Sequence, residues 1–188
     1  GEFDSWRAAA VSSRSSVLGR PLAMFSFALN QWLWPEAGAA PFKFTNIFIH
    51  LAIGGLLYLF AGSLLRSSPA LDLNETQATR VALLAAALWL LQPLAVSSVL
   101  YVVQRMAQLS TLFALAGLYV FTVYRGRWAR IVPPSGEVLA AALWLSLITL
   151  LALLSKENGL LLLWALVVLE LCFYQGVWGG RSSVALQR

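Results

Sequence analysis

Five nearly unbroken apolar runs, at residues 44–65, 79–96, 106–124, 138–154 and 159–174, dominate this chain. Each approaches the ~17–25 residues that a helix rising about 1.5 Å per residue needs to cross roughly 30 Å of hydrocarbon. Short polar breaks separate them, and of the charged residues only Arg80 and Glu170 fall inside the runs. The breaks at 97–105 and 155–158 are tight enough to make the flanking helices antiparallel neighbours. The pattern predicts an all-α fold, a polytopic transmembrane helical bundle of about five spans.

Residues 21–34 read differently. Leu22, Phe25, Leu29, Trp32 and Leu33 recur at helical spacing, while Asn30 and Gln31 fall off that stripe. The segment is too short to span, and Trp32 and Trp34 at its end suit the headgroup region. It is expected to be an N-terminal interfacial amphipathic helix on the outer face. The expected organisation is therefore an outer loop with this helix over 1–43, a transmembrane domain over 44–175 and a basic cytoplasmic tail over 176–188.

Composition agrees with lipid as part of the solvent. Of the 188 residues, 60% are hydrophobic and 11% charged, against about 25% charged in soluble domains. Mean hydropathy is +0.75. A net charge of +5 would point to nucleic acid in a soluble protein. Here the arginine bias of membrane loops and anionic headgroups account for it. Cys172, the only cysteine, sits inside an apolar run, so the chain forms no disulfide within itself. The chain opens on Gly1 rather than Met with a polar stretch, and is expected to be a piece of a longer protein.

Arginine sets the expected orientation. Arg66, Arg80, Arg125, Arg127, Arg130, Arg181 and Arg188 fall on one side, with the dense cluster at 125–130 directly after a span. That side is assigned to the cytoplasm. Arg7, Arg14, Arg20, Lys43, Arg105 and Lys156 then face outward.

Polar residues at the outer ends carry the candidate chemistry. Arg20, before Pro21, stands at the water–lipid boundary, either forking onto a phosphate or carboxylate or anchoring its helix by snorkelling. Gln104, Arg105 and Gln108 lie within one turn at the mouth of an apolar helix, with both glutamines on one face. Such groups are costly there unless they meet water, each other or a ligand. Lys156 and Glu157 form an adjacent pair in a short turn, either a solvated tip or an anion-binding cation beside a carboxylate. Asn46 and His50 are one turn apart near the outer end of the first run, suited to a helix–helix hydrogen bond. With one histidine and one cysteine, the chain shows no metal-binding pattern. Gln92-Pro93 should bend the chain as it leaves the second run. Asp72, Glu75 and Glu170, toward the other side, read as structural.

Several segments together resemble a family. They are Gly19-Arg20-Pro21-Leu22, Phe25 to Asn30, Lys43-Phe44-Thr45-Asn46 with His50-Leu51, Tyr101 to Met106, and Leu153 to Gly159. In this order they resemble the membrane portion of bacterial GT-C glycosyltransferases, nearest to protein O-mannosyltransferase-like enzymes associated with tetratricopeptide repeats. The resemblance covers 20 to about 174. It implies transfer of a sugar from a polyprenyl-phosphate carrier to an acceptor, such as a protein, on the outer face of a bacterial inner membrane. It also implies an acidic catalytic residue in an outer loop after a first transmembrane helix. No such helix lies within this sequence, so the acid is expected upstream, with Asp4 the candidate inside it. Arg20, Arg105 and Lys156 are the implied donor-phosphate ligands, with Gln104, Gln108, Glu157, His50 and Asn46 as supporting polar groups. Relatives often hold a divalent cation, and they carry His-Pro where this chain has Gln92-Pro93.

Three function classes remain open on the sequence. The first is the membrane glycosyltransferase, whose partners are the polyprenyl-phosphate sugar and membrane lipid. The second is a non-catalytic structural or accessory subunit of a membrane complex. The third is a transporter-like domain, which the lack of a carboxylate at the centre of any run disfavours. None involves nucleic acid.

Overall fold

A computed structural model describes residues 19–67 and 73–179. The described residues form seven α-helices: α1 (Pro21–Leu33), α2 (Ala40–Ser67), α3 (Glu75–Leu91), α4 (Ala95–Leu100), α5 (Arg105–Trp128), α6 (Ser135–Ser155) and α7 (Leu161–Leu169). A 3-10 turn, Val102–Gln104, leads into α5, a second, Glu157–Leu160, leads into α7, and a π turn, Glu170–Tyr174, follows α7. Asp4, Arg7, Arg14, Asp72, Arg181 and Arg188 lie outside the described residues.

Four stretches are long and apolar enough to cross a membrane: Ala40–Ser67, Val102–Trp128, Ser135–Ser155 and Glu157–Tyr174. The expected fifth, over 79–96, is shorter than the pattern implied. Helix α3 starts at Glu75 and ends at Leu91, 17 residues in all, or about 25 Å. Asn74 and Gln77 close its start with a reciprocal capping box. At the far end Gln92, forced out of the helical region by Pro93, is extended. The chain then turns, with Ala95 N–H on the Gln92 carbonyl at 3.0 Å, into the short α4.

Pairs of contacts at the two ends of each helix fix directions. His50 near the start of α2 meets the Leu90 carbonyl near the end of α3, and Arg66 at the end of α2 meets Glu75 at the start of α3. The two are therefore antiparallel. Helices α2 and α5 run parallel, because Arg105 meets Asn46 at one end and Gly126 abuts Ser67 at the other. Arg127 on α5 meets Glu137 on α6, which reverses direction again. Helix α7 follows α5, since Gly117 lies under Leu162 and Arg125 binds Glu170.

The bundle is inverted relative to a water-soluble protein. Leu83, Leu84, Leu88, Leu143, Trp144, Leu161, Trp164 and Leu171 are exposed, whereas Asn46, His50, Arg105, Gln108, Ser110, Thr122, Arg125 and Ser155 are buried. The apolar groups buried beside them are largely alanines, the small residues that let helices approach closely in lipid. Burying the polar groups and exposing the large apolar ones lowers free energy only where the surroundings are hydrocarbon. This chain is built as an integral membrane protein.

Helix α1 follows the same inversion. Phe25, Leu29, Trp32 and Leu33 of the sequence stripe are exposed, while Ala23 and Asn30 face inward. Its 13 residues reach about 20 Å, too short for a ~30 Å crossing. It packs mainly on α6, with further contacts to α2 and α5.

Candidate functional site

Arg20, Asn46, His50, Gln104, Arg105, Gln108, Lys156 and Glu157 all gather at one end of the bundle, where α1, α2 and α5 begin and where α3 and α6 end. Within that end they divide into four groups with different chemistry.

Arg105 is the centre of the first group. Its side chain is wholly buried. Nε donates to Asn46 Oδ1 at 2.9 Å, Nη2 to the Phe42 carbonyl at 2.8 Å, and Nη1 to the Ser26 carbonyl at 3.1 Å and to Asn30 Oδ1. Four of its five N–H groups are therefore engaged. The guanidinium also stacks on the Phe27 and Phe42 rings, 4.8 and 5.5 Å from their centroids. Asn46 in turn donates to the Val99 and Tyr101 carbonyls, both at 3.2 Å, and Asn30 to Thr45 Oγ1 at 3.0 Å. Arg105 thus ties α1, α2 and the α4–α5 connection together. In this geometry it holds helices in place, and its donors do not point to an open surface as a phosphate ligand's would. It forms no ion pair among the described residues, so its positive charge at this end is not neutralised by contact.

Arg20 and Glu157 form the second group. Nε faces both carboxylate oxygens at 3.3 and 3.2 Å, Nη2 lies 3.1 Å from Oε2, and Nη1 approaches Met106 Sδ at 3.4 Å. Arg20 holds φ 50° and ψ 52°, the left-handed region, and Gly19 before it is left-handed too. For a residue with a Cβ this costs roughly 1–2 kcal/mol, sustained by the contacts of its side chain. Both partners are part-exposed, so the pair contributes only about 0–1 kcal/mol.

Lys156 is the third element. It leaves α6 in an extended conformation, φ −163° and ψ 147°, so it and Glu157 point apart. Glu157 turns to Arg20, and Lys156 lines a groove of about 370 Å³. Ala107, Ser110, Thr111, Ala114, Leu115 and Leu118 of α5 form one wall, and Asn158 and Leu161 complete it beside the lysine. From 107 to 118 the groove follows α5 for about 16 Å. It is polar at the end where Lys156 stands and apolar deeper in the bundle. The Lys156 ammonium makes no hydrogen bond or ion pair with the described residues, while its main chain bonds Ala152 and Gly159.

The glutamines and His50 line a separate cavity of about 130 Å³ behind α5. No group of three His, Cys, Asp or Glu side chains assembles among the described residues. Glu157 has both oxygens directed at Arg20.

The opposite end holds a feature the sequence reading missed. Arg125 was placed in a loop after its span, but α5 continues to Trp128, which puts Arg125 in the last helical turn. It is 1% exposed and binds Glu170 in bidentate fashion, both bonds 2.6 Å. Tyr174 and Trp178 lie 5.0 and 4.2 Å from its guanidinium carbon. Glu75 and Glu170 both serve in ion pairs, to Arg66 and Arg125. The clue was the carboxylate itself: Glu170 lies inside the last apolar run, where a charge is costly unless it is paired.

Compared with known protein families, with curated proteins and with solved structures, the chain shows no match.

Proposed function

We propose that this chain is the membrane core of a glycosyltransferase that takes its sugar from a polyprenyl-phosphate carrier at the outer face of the membrane. The observation that carries this reading is the groove along α5, with Lys156, whose ammonium has no partner among the described residues, at its polar mouth and an apolar floor about 16 Å long beyond it. A lipid phosphate has that same arrangement of anionic head and hydrocarbon tail. The sugar-transfer chemistry itself comes from the resemblance of the sequence segments around Arg20, Asn46, Arg105 and Lys156.

In this reading an acceptor hydroxyl attacks the anomeric carbon, a new C–O bond forms, and the bond from that carbon to the phosphate oxygen breaks. The electron pair leaves with the polyprenyl phosphate. Lys156, joined by Arg20 when it exchanges Glu157 for the phosphate, stabilises the charge on the departing group. The buried, uncompensated charge of Arg105 adds to the positive potential at this end. A carboxylate accepts the acceptor's proton, supplied by Asp4 or by the acid expected upstream of Gly1. Helix α1 lies along the outer interface with its exposed tryptophan and phenylalanine stripe in lipid, and 125–130 faces the cytoplasm.

One observation favours a second reading, a non-catalytic structural subunit. Arg105 is consumed by protein acceptors, as expected of a residue kept for assembly. Transfer from a polyprenyl-phosphate sugar by the full natural chain in lipid nanodiscs separates the two. Transfer abolished by Lys156→Ala supports the enzyme. Absence of any transfer, with the donor bound no better than by Lys156→Ala, supports the subunit.

A further inference from the structure

The cavity behind α5 is enclosed by α2, α3, α4 and α5 and lined by His50, Trp89, Gln92, Ser98, Gln104 and Gln108 among others. Gln108 is 5% exposed, and both Nε2 and Oε1 of its amide meet no hydrogen-bond partner among the described residues. Burying an amide without partners costs about 1–3 kcal/mol, so this side chain is positioned for something that enters the cavity. No charged side chain contributes to the lining, which disfavours an anion or a metal ion. The required guest both accepts from Nε2 and donates to Oε1, as a hydroxyl group does. The volume of about 130 Å³ exceeds that of a single water, about 30 Å³. Further amides at Gln92 and Gln104 and the hydroxyl of Ser98 offer the alternating donors and acceptors that neighbouring hydroxyls use.

His50 closes the wall in a fixed orientation. Its Nε2 is 3.3 Å from the Leu90 carbonyl, which only accepts, so Nε2 carries the proton and donates. Its ring stacks on Trp89 with centroids 4.7 Å apart. Ala107 and Thr111 line both this cavity and the Lys156 groove, so the two sites flank the same turns of α5.

We propose that this cavity binds a neutral, polyhydroxylated group, a monosaccharide ring or a short polyol, with Gln108 as its principal ligand. The inference stands without the transferase reading, because it concerns binding of uncharged hydroxyls and needs neither Lys156 nor a phosphate.

His50 is the only histidine in the sequence, so its imidazole signals in NMR need no assignment. The test titrates the full chain in nanodiscs with mannose, glucose and glycerol while following those signals. The expected result is a saturable shift with at least one of them, weakened tenfold or more by Gln108→Leu and preserved in Lys156→Ala. Saturation by the sugars and not glycerol identifies a pyranose guest; saturation by glycerol alone identifies a short polyol, and both support the site. Gln104→Ala, at a less buried position, provides a second variant should Gln108→Leu not fold, and should also weaken the shift. Absence of a saturable shift in the folded wild type, as a cavity holding water alone would give, overturns the proposal. So does a shift of equal affinity in wild type and Gln108→Leu. Loss of transfer in Lys156→Ala with the sugar shift intact would leave this site standing on its own.

Discussion

Arg105 Nε donates to Asn46 Oδ1 at 2.9 Å, joining α5 to α2 across 59 residues of sequence in a pocket closed to solvent. The bond belongs to a set in which two asparagines and two carbonyls satisfy one buried cation. Hydrogen bonds to a charged group each contribute about 1.5–3 kcal/mol. Arg105→Ala should therefore destabilise the bundle by at least ~3 kcal/mol, seen as a large fall in the midpoint of thermal unfolding in detergent. Arg105→Lys should recover little, because one ammonium with three donors cannot reach four acceptors spread over α1 and α2. A wild-type midpoint in Arg105→Ala would contradict the role given to this network.

The Arg125–Glu170 pair at the opposite end makes a separate prediction. Breaking a buried pair by removing one partner costs about 3–5 kcal/mol, because the other charge is left behind. Glu170→Gln should show most of that loss. Arg125→Met combined with Glu170→Leu should regain much of it, as replacing both charges by apolar groups is near neutral or better. Chemical denaturation of Arg125→Met, Glu170→Leu and the double variant reads the coupling directly. Additive losses would mean that the two residues do not act as a pair.

Gly159 stands where α6 and the turn into α7 touch. A Cβ there would collide with the carbonyl carbon and oxygen of Ala152, and main-chain atoms cannot swing aside as a side chain does. Gly159→Ala should cost about 1–3 kcal/mol or more. Gly117→Ala, whose nearest neighbours are the side chains of Leu162 and Ile148, should cost less. Unfolding midpoints of the two variants side by side check the order.

How far the sequence could be read depended on the kind of signal. Four apolar runs became membrane-length helices because continuous apolarity has only one low-energy outcome in lipid. The run at 79–96 was overestimated because leucine and alanine continue past Leu91, while Pro93 interrupts the helical hydrogen bonding. The gathering of Arg20, Arg105 and Lys156 at one end was legible from alternation alone. Their separation into a buried network, an ion pair and a groove was not, since it depends on which way each side chain leaves its helix. Asn30 shows the same limit. It stood off the apolar stripe of α1, and which face the helix turns inward was decided by Arg105, 75 residues away.

Orientation in the membrane is open to a direct check. In a Cys172→Ser background, needed because Cys172 is exposed, single cysteines at Asn158 and Arg127 should behave oppositely. A membrane-impermeant maleimide applied to intact cells should label the first and spare the second. Labelling of Arg127→Cys alone would reverse the topology.

The central claim concerns the groove at Lys156, and binding of a polyprenyl-phosphate sugar to the full natural chain in nanodiscs tests it most directly. Wild type should bind the donor saturably. Lys156→Ala should bind it roughly tenfold or more weakly, in line with loss of one charge-assisted contact of about 1.5–3 kcal/mol, while its unfolding midpoint stays close to that of wild type because the ammonium has no partner to lose among the described residues. Equal affinity in wild type and Lys156→Ala, with both folded, would contradict a lipid-phosphate site in the groove.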